Sequence, residues 1–248
     1  MPKPSPILSA YMWVSFTLVY IVIFLVGLVV SIPLLPFDRH RKTMNVFFML
    51  GGRLLPSYNP FIRREYSGLD RIDPSQPRIY VANHQSFLDM PFLASLPFNM
   101  KWLSKDGMFK IPGVGTMMRL AGHIGIKRGT TGAALALDRL KPYVKDAVPV
   151  MIFPEGTRSK TGQMSAFKNG AFLLSRETGA AIQPLVIHGT HALLPPGTWV
   201  FRTSGTIRLS VLPPFLPGDY ETLDAFREAV FVAMKAEFDR LETTNARN

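Results

Sequence analysis

The chain carries no charged residue between Lys3 and Asp38, and this stretch is the feature that most constrains its fold. The run ILSAYMWVSFTLVYIVIFLVGLVVSIPLLPF is apolar over far more than the roughly 20 residues with which a helix crosses a bilayer. A buried core helix is a poor fit, because the run is too long and has no polar face. A cleaved signal peptide is also a poor fit, because the run lacks a clear small-residue cleavage site. The sequence therefore predicts a retained membrane anchor.

The residues after the apolar run predict how the anchor is oriented. Pro33 and Pro36 end the helix, and the basic residues Arg39, Arg41 and Lys42 follow. The positive-inside bias puts this flank, and the body behind it, on the cytoplasmic side of an inner or cytoplasmic membrane. A second apolar piece, MNVFFMLGGRLL, is too short to span and is expected to lie along the interface as an amphipathic helix. A spanning helix and a helical hairpin that enters one leaflet both fit this pattern.

Charge and composition narrow the class of protein. The 248 residues are 47% hydrophobic and 18% charged, which is too apolar for a disordered chain, and the formal net charge is +11. The sequence contains no aromatic-basic RNA motif, no zinc-finger pattern and no long Lys/Arg run. The positive charge therefore indicates anionic lipid as a partner rather than nucleic acid. The sequence contains no cysteine, which excludes disulfides and thiol catalysis.

Short apolar runs alternate with helical patterns in the remainder of the chain. The length suits one domain with an appendage. We place the domain at residues 58–248 and the appendage, a membrane anchor or helical hairpin, at residues 1–57. The predicted strands are RIYVA, MKWLS, HIGIK, VPVMIF, AAIQPLVIH and TIRLSVL. The predicted helices cover residues 90–96, 113–120, 130–143 and 167–178, and an apolar stripe predicts a last helix over 223–241. This order predicts an α/β fold with a mostly parallel sheet flanked by helices and an N-terminal membrane-embedded helical segment.

Polar residues follow several of the predicted strands. His84 comes after RIYVA, Lys105 after MKWLS and Arg128 after HIGIK, while Glu155 and Arg158 come after VPVMIF. Ligands of parallel sheets bind at the carboxyl ends of the strands. The sequence therefore predicts that these residues share one site.

The stretch NHQSFLD places His84 five residues before Asp89. Ser86 and Asp89 fit a capping box at a helix start, which leaves His84 unexplained. A carboxylate on the first helical turn could accept the ring N–H of the histidine and leave the other ring nitrogen as a base. The stretch is thus either a catalytic His–Asp pair or an ordinary helix start that contains a histidine.

The stretch FPEGTRS predicts a tight turn that exposes Glu155 and Arg158, and a planar guanidinium suits bidentate contact with a phosphate. An ordinary turn with a solvated ion pair is the alternative. In GHIGIKRG, Lys127 and Arg128 end a strand before a possible helix start and are candidates for anion binding, as is Lys105. The sequence has neither a G-x-S-x-G nucleophile elbow nor a G-x-x-x-x-G-K-[ST] phosphate loop.

Together, NHQSFLD and FPEGTRS, in this order and behind a membrane segment, resemble the motifs of the glycerolipid acyltransferases. The resemblance extends over nearly the whole body, since KIPGVG and GHIGIKRG are similar to the second motif region of that family and IQPLVIHG to the fourth. The chain departs from the family pattern at Gly125 and Lys127, where members often carry a bulky apolar residue and an acidic residue.

The resemblance implies an enzyme that transfers an acyl chain from acyl-CoA or acyl carrier protein to the sn-2 hydroxyl of lysophosphatidic acid, giving phosphatidic acid for phospholipid biosynthesis. It implies His84 as the general base and Asp89 as the residue that fixes its tautomer. The implied substrate-binding residues are Lys105, Arg128, Glu155, Gly156, Thr157 and Arg158, with Lys105 also a candidate oxyanion donor. No metal and no cofactor are implied, because a thioester is already activated. Acylation of another lyso-lipid, such as a lyso-aminolipid or lysophospholipid, and lipid binding without turnover are the alternatives.

Overall fold

The computed structural model describes residues 3–73, 75–127 and 129–246. The chain opens with two helices, α1 (Pro6–Leu34) and α2 (Lys42–Leu54), and continues into an α/β body. By length and apolar composition α1 could cross a membrane.

The two opening helices form an antiparallel hairpin. The carboxylate of Asp38, in the turn between them, accepts hydrogen bonds from the backbone N–H groups of Lys42 (2.8 Å) and Thr43 (2.7 Å). These bonds satisfy donors that the start of α2 would otherwise leave unpaired. Further along, a Cβ atom at Gly51 would lie 2.7 Å from the ring of Tyr20. Glycine at this position therefore allows α2 to approach α1 closely.

The body contains seven strands in the part of the chain that the structure describes, and they form one sheet. The strands are β1 (Ile62–Ser67), β2 (Arg78–Ala82), β3 (Lys101–Lys105), β4 (Ile124–Ile126), β5 (Val150–Ile152), β6 (Ala181–His188) and β7 (Gly205–Val211). Their order in the sheet is β1-β7-β6-β2-β5-β3-β4, and every neighbouring pair is parallel except the antiparallel pair β6 and β7.

Helices cover both faces of the sheet. The helices of the body are α3 (Asp89–Leu93), α4 (Val114–Leu120), α5 (Thr130–Lys145), α6 (Gly170–Thr178), α7 (Thr190–Leu193) and α8 (Leu223–Ala246). The hairpin of α1 and α2 lies on one face with α3 and α7, and α5, α6 and α8 pack on the other. Consecutive residues of β2 alternate accordingly, because side chains along a strand point to opposite faces: Tyr80 belongs to the first core, and Ile79 and Val81 belong to the second. The predicted α/β fold with a mostly parallel, helix-flanked sheet is confirmed.

The predicted strands all occur, whereas β1 is a strand that the sequence pattern did not predict. β1 has the sequence IRREYS, and its only strongly buried residue is Ile62. It lies at the edge of the sheet and pairs only with β7, so most of its side chains are exposed, although Glu65 is partly buried and ion-pairs with Arg208 of β7. A charged edge strand has neither the apolar run nor the clear alternation on which strand prediction depends.

The opening hairpin shares a core with the body. Met12 of α1 and Met49 of α2 are fully buried in the same apolar cluster as Tyr80 of β2 and Phe92 of α3. The aromatic rings of Trp13 and Phe87, 5.5 Å apart between centroids, extend this contact toward the end of β2. The division of the chain at residue 57 stays a prediction.

Candidate active site

The candidate site lies at the carboxyl end of β2, between β6 and β5. Both neighbours run parallel to β2, so the segments that follow these three strands meet at one edge of the sheet. They are the His84 loop (residues 83–88), the Glu155 turn (residues 153–159) and the short helix α7. The site is thus built from segments that are distant in sequence.

The structure brings His84 and Asp89 together. The Nδ1 atom of the His84 ring lies 2.8 Å from Oδ2 of Asp89. The histidine side chain is 15% exposed, whereas the carboxylate is fully buried. With the proton on Nδ1 facing the carboxylate, Nε2 is left as the basic nitrogen. This is the arrangement that a general base requires, and the catalytic role of the pair stays a prediction.

The carboxylate of Asp89 is held by four donors. Besides His84 Nδ1, its Oδ2 atom accepts hydrogen bonds from the backbone N–H groups of Gln85 (2.6 Å) and Ser86 (2.8 Å). Its Oδ1 atom accepts a hydrogen bond from the hydroxyl of Thr190 (2.6 Å). Burying a carboxylate is unfavourable unless both oxygens are hydrogen-bonded, and here both are. The charge of Asp89 is therefore stabilised in a fixed orientation.

The start of α3 differs from the predicted capping box. Asp89 does accept a hydrogen bond from the backbone N–H of Ser86, as one half of that motif requires. The other half is absent, because the Ser86 hydroxyl accepts from the N–H of Leu88 (3.1 Å) and donates to the carbonyl of Leu194 (2.7 Å). The Asp89 carboxylate therefore binds the backbone of the His84 loop and the histidine ring. The Ser86 hydroxyl connects the same loop to the segment after α7.

Contacts on both sides fix the His84 loop. On the β6 side, the Asn83 side chain donates to the carbonyl of Ile187 and accepts from its N–H, each at 2.8 Å. On the β5 side, the His84 ring stacks on Phe153 with centroids 3.9 Å apart and planes 12° apart. The carbonyl of His84 also accepts a hydrogen bond from the N–H of Ser159 (2.8 Å). The imidazole is therefore restrained both by its ring and by its backbone.

Glu155 lies inside the protein rather than at its surface. It is 3% exposed, its Oε1 atom accepts the backbone N–H of His84 (2.8 Å), and its Oε2 atom accepts the N–H (3.0 Å) and hydroxyl (2.7 Å) of Ser165. Burial raises the pKa of Glu155, and the hydrogen bonds from Ser165 and His84 oppose that rise. The contacts of this carboxylate thus connect three loops of the protein, and its substrate-binding role stays a prediction.

The rest of the Glu155 turn faces solvent. Gly156, Thr157 and Arg158 are exposed, and Gly156 has φ +71°, which only glycine adopts readily. A Cβ atom at Gly156 would lie 2.6 Å from Nζ of Lys168, so glycine also makes room for that side chain. Within the described ranges, no hydrogen bond or ion pair involves the guanidinium of Arg158. Arg158 of the turn and the neighbouring Lys168 therefore present two cationic side chains to solvent beside the exposed backbone of Gly156.

One predicted site residue, Lys105, is not brought to the His–Asp pair. Lys105 is exposed at the end of β3, where it pairs with Ile126 of β4, and β5 lies between its strand and β2. Among the described residues, no contact is found between Lys105 and His84. Arg128 lies outside the described residues. The predicted roles of Lys105 and Arg128 stay predictions.

The sequence analysis missed two residues of this site. Thr190 bonds Asp89 from 101 positions away, so no local spacing could have indicated it. Lys168 lies in SAFKNG, which has no recognisable motif, and only the fold brings its ammonium group beside Gly156. The predicted helix over 167–178 included Lys168, whereas α6 begins at Gly170, so the sequence pattern did not indicate a site residue there.

Comparison with known proteins shows the family of the chain. A family model described as Acyltransferase matches residues 63–188, just over half of the chain. The chain is 36% identical over 180 residues to a chloroplastic 1-acyl-sn-glycerol-3-phosphate acyltransferase of Brassica napus, covering 72% of this chain and 52% of that protein. It is 33% identical over 245 residues to a 1-acyl-sn-glycerol-3-phosphate acyltransferase of Chlamydomonas reinhardtii, covering 95% of this chain and 73% of the relative.

A solved structure is similar over almost the full length. The crystal structure of the 1-acyl-sn-glycerophosphate acyltransferase of Thermotoga maritima matches with a TM-score of 0.82 and 26% identity, covering 95% of each chain. By contrast, the chain spans only about half the length of the plant relatives from Brassica napus and Arabidopsis thaliana, with 52% and 50% of their residues covered. The chain belongs to the Acyltransferase family. The resemblance predicted from NHQSFLD and FPEGTRS is confirmed.

Proposed function

We propose that this protein is a membrane-bound 1-acylglycerol-3-phosphate O-acyltransferase, which acylates the sn-2 hydroxyl of lysophosphatidic acid and releases phosphatidic acid. The observation that carries the proposal is the His84–Asp89 contact of 2.8 Å, with a buried carboxylate, at the carboxyl end of β2. Relatives that are named for this activity support the choice of acceptor.

The proposed reaction is a direct transfer. His84 Nε2 removes the proton of the acceptor hydroxyl as the hydroxyl oxygen attacks the thioester carbonyl. Asp89 stabilises the imidazolium that forms. The new C–O ester bond replaces the C–S bond, and the departing thiolate takes the proton back from the imidazolium. The products are phosphatidic acid and a free thiol, and the histidine returns to its starting state.

The donor in this proposal is acyl-CoA or acyl carrier protein. A thioester brings its own activated carbonyl, and the acceptor brings its own nucleophile. The protein then has to supply a base, donors for the tetrahedral oxyanion and a site for the phosphate. We therefore propose no metal and no redox cofactor, on the chemistry of the thioester. Lys105 or nearby backbone N–H groups are the proposed oxyanion donors.

The phosphate of the acceptor is proposed to bind at the exposed part of the Glu155 turn. Arg158 and Lys168 supply positive charge there, and Gly156 lets an oxygen approach the backbone. Thr157 contributes an exposed hydroxyl in the same turn. Arg128 is proposed to add a further cation from the chain after β4.

Replacement of Arg158 tests the phosphate site. Arg158→Ala should raise the KM for lysophosphatidic acid by roughly 10- to 100-fold with little change in kcat, because a charge-assisted hydrogen bond is lost. Steady-state kinetics with lysophosphatidic acid and with a monoacylglycerol that lacks the phosphate would measure this. Arg63→Ala is the matched control, since Arg63 is exposed on β1, three strands away from β2. An unchanged KM for lysophosphatidic acid would remove Arg158 from the phosphate site.

The membrane arrangement that we propose is a hairpin in one leaflet. The apolar helix α1 supports membrane association, and it contacts the body along its length. Near its start, the N–H of Ser5 donates to the carbonyl of Phe201 (3.0 Å), and the indole of Trp13 donates to the carbonyl of Trp199 (2.8 Å). Near its end, Ser31 is buried. A helix that crossed a bilayer alone would meet lipid on every side, whereas α1 gives one face to protein.

The opposite face of α1 would then meet the acyl chains. Its exposed large apolar residues are Ile7, Tyr11, Val14, Leu18, Ile21, Val22, Leu25, Val26, Val29, Val30, Ile32 and Leu34. Trp199, 68% exposed beside Trp13, would lie at the head-group level, where tryptophan is enriched. Arg39, Arg41 and Lys42 would face anionic head groups and put the site on the cytoplasmic side.

A charge on the exposed face of α1 should weaken membrane binding. Leu18→Glu should reduce the partition of the purified protein into vesicles with anionic phospholipid by at least about tenfold, because a carboxylate is unfavourable among acyl chains. Leu135→Glu is the matched control, since Leu18 and Leu135 are both 60% exposed but Leu135 lies on α5, on the other face of the sheet. Co-sedimentation with the vesicles measures both variants. Equal binding of the two variants would rule out this orientation of α1.

A panel of acceptors tests the function itself. Purified protein in lipid should consume acyl-CoA or acyl-carrier-protein thioester with lysophosphatidic acid, and phosphatidic acid should appear in equal amount. Turnover only with a lyso-aminolipid or with a lysophospholipid that carries a head-group alcohol would replace the proposed acceptor. Absence of turnover with every acceptor would favour a lipid-binding protein without catalysis.

A further inference from the structure

We infer that Thr190 is a positioning residue for the His84–Asp89 pair, an inference that rests on the proposed acyl transfer. Its hydroxyl lies 2.6 Å from Oδ1 of Asp89, and both residues are fully buried. Thr190 has no route to the substrate from there. It acts by fixing the carboxylate that in turn fixes the base.

The backbone brings Thr190 to this position through a turn that requires glycine. β6 ends at His188, and Gly189 follows with φ +96°. A Cβ atom at Gly189 would lie 2.1 Å from the carbonyl oxygen of Thr206, which no side chain could tolerate. The chain can therefore turn at residue 189 and carry the Thr190 hydroxyl under the His84 loop.

The four hydrogen bonds to Asp89 are divided unequally between its two oxygens. Oδ2 takes three donors, all from the adjacent residues His84, Gln85 and Ser86. Oδ1 takes one donor, and that donor is Thr190. Oδ2 therefore keeps its donors when Thr190 is changed, whereas Oδ1 loses the one it has. Among the described residues, Thr190 is the donor that satisfies Oδ1 of this buried carboxylate.

Loss of the Thr190 hydroxyl would act on the base through Asp89. Oδ1 would remain buried without a donor, and the carboxylate would rotate or bind a proton. If it keeps its charge, the carboxylate accepts more strongly from the Nδ1–H and favours the protonated imidazole. If it binds a proton, the imidazolium loses its partner. In either event the active form of the pair, with anionic Asp89 and neutral His84, is populated only at higher pH.

The other titratable groups around the His84–Asp89 pair are the same in the wild type and in a Thr190 variant. Glu155 faces the His84 loop from the β5 side through its bond to the His84 N–H. His188, at the end of β6, is mostly buried, and its charged neighbours are Glu242 and Arg208. A shift in the pH–rate profile on changing Thr190 alone therefore reports on Asp89 and His84.

The test compares Thr190→Val with Thr190→Ser. Valine keeps the size of threonine without its hydroxyl, so kcat should fall by roughly 10- to 100-fold, with the KM for lysophosphatidic acid nearly unchanged. The acid limb of the pH–rate profile should move up by about half a unit to one unit. Serine keeps the hydroxyl and should restore most of kcat and the original limb. Wild-type behaviour of Thr190→Val would overturn the inference.

A matched control distinguishes positioning of the His84–Asp89 pair from a purely structural role of Thr190. Thr178 at the end of α6 donates its hydroxyl to the carbonyl of Leu174 (2.7 Å), far from the site. Thr178→Val should leave kcat and the acid limb unchanged, even if its thermal unfolding temperature falls. Equal impairment of Thr190→Val and Thr190→Ser with an unmoved acid limb would show that Thr190 serves packing alone.

A second readout separates this inference from the proposed function. Diethyl pyrocarbonate modifies the neutral form of histidine, and mass spectrometry locates the modified residue. The pH midpoint for modification of His84 should be displaced in Thr190→Val relative to the wild type and Thr190→Ser, because the partner of its Nδ1–H has changed. If the wild type turns over no acceptor, the proposed function fails, and this midpoint still decides the role of Thr190. Identical midpoints in the three proteins would overturn it.

Discussion

His84→Ala is expected to lower kcat by roughly two to four orders of magnitude, which is the usual contribution of a general base. The fold should be kept, because the loop is held by groups that alanine leaves in place. These are the backbone N–H and carbonyl of residue 84, bonded to Glu155 and Ser159, and the side-chain amide of Asn83. The measurement is the initial rate of thiol release with saturating lysophosphatidic acid. Activity within a few-fold of the wild type would remove His84 from the mechanism.

The chain provides a close control for this variant. His40 contacts Asp146 through Nε2 at 2.9 Å, and its side chain is 14% exposed, against 2.8 Å and 15% for His84. The His40 pair lies at the turn between α1 and α2, and its carboxylate is 35% exposed. His40→Ala should leave kcat within about twofold of the wild type, since Asp146 precedes β5 and the pair lies at the edge of the sheet opposite the candidate site. Equal losses in the two variants would indicate damage to the fold.

Asp89→Asn is expected to lower kcat by about two to three orders of magnitude, because the neutral amide cannot stabilise the imidazolium. If the amide oxygen takes the place of Oδ2, the Nδ1–H contact survives but its charge is lost. If the amide nitrogen takes that place, it opposes the N–H groups of Gln85 and Ser86 and donates to Nδ1. The histidine would then carry its proton on Nε2 and could not act as a base.

The control variant for Asp89→Asn is Asp146→Asn. That change removes the charge from the second His–carboxylate pair, and kcat should be unchanged. Folding is compared by thermal unfolding of both variants in the same lipid. If Asp89→Asn kept wild-type kcat, the contact between Asp89 and His84 would have no role in the transfer.

Much of the sheet could be predicted from the sequence because its central strands are buried on both faces. RIYVA and AAIQPLVIH contain the apolar runs that such strands need, and they correspond to β2 and β6. The spacing of His84 and Asp89 also predicted their contact, since a carboxylate on the first turn of a helix lies near the loop before it.

The remaining features depend on the tertiary structure. Thr190 reaches Asp89 only because β6 and β2 are neighbours, and this pairing is not encoded in local spacing. The inward orientation of Glu155 depends on Ser165 and on the backbone of His84, both distant in sequence. β1 was missed because a charged edge strand carries almost no burial pattern. In each instance the determining contact is made by a segment that the local sequence does not contain.

The contact between Trp13 and Phe87 links α1 to the His84 loop. Phe87 lies three residues after His84, and Phe201 packs against the same indole. Removing α1 would therefore expose the aromatic side chains that pack beside the His84 loop. For the proposed membrane enzyme, trimming α1 to obtain a water-soluble protein would therefore also remove part of the packing around the His84 loop.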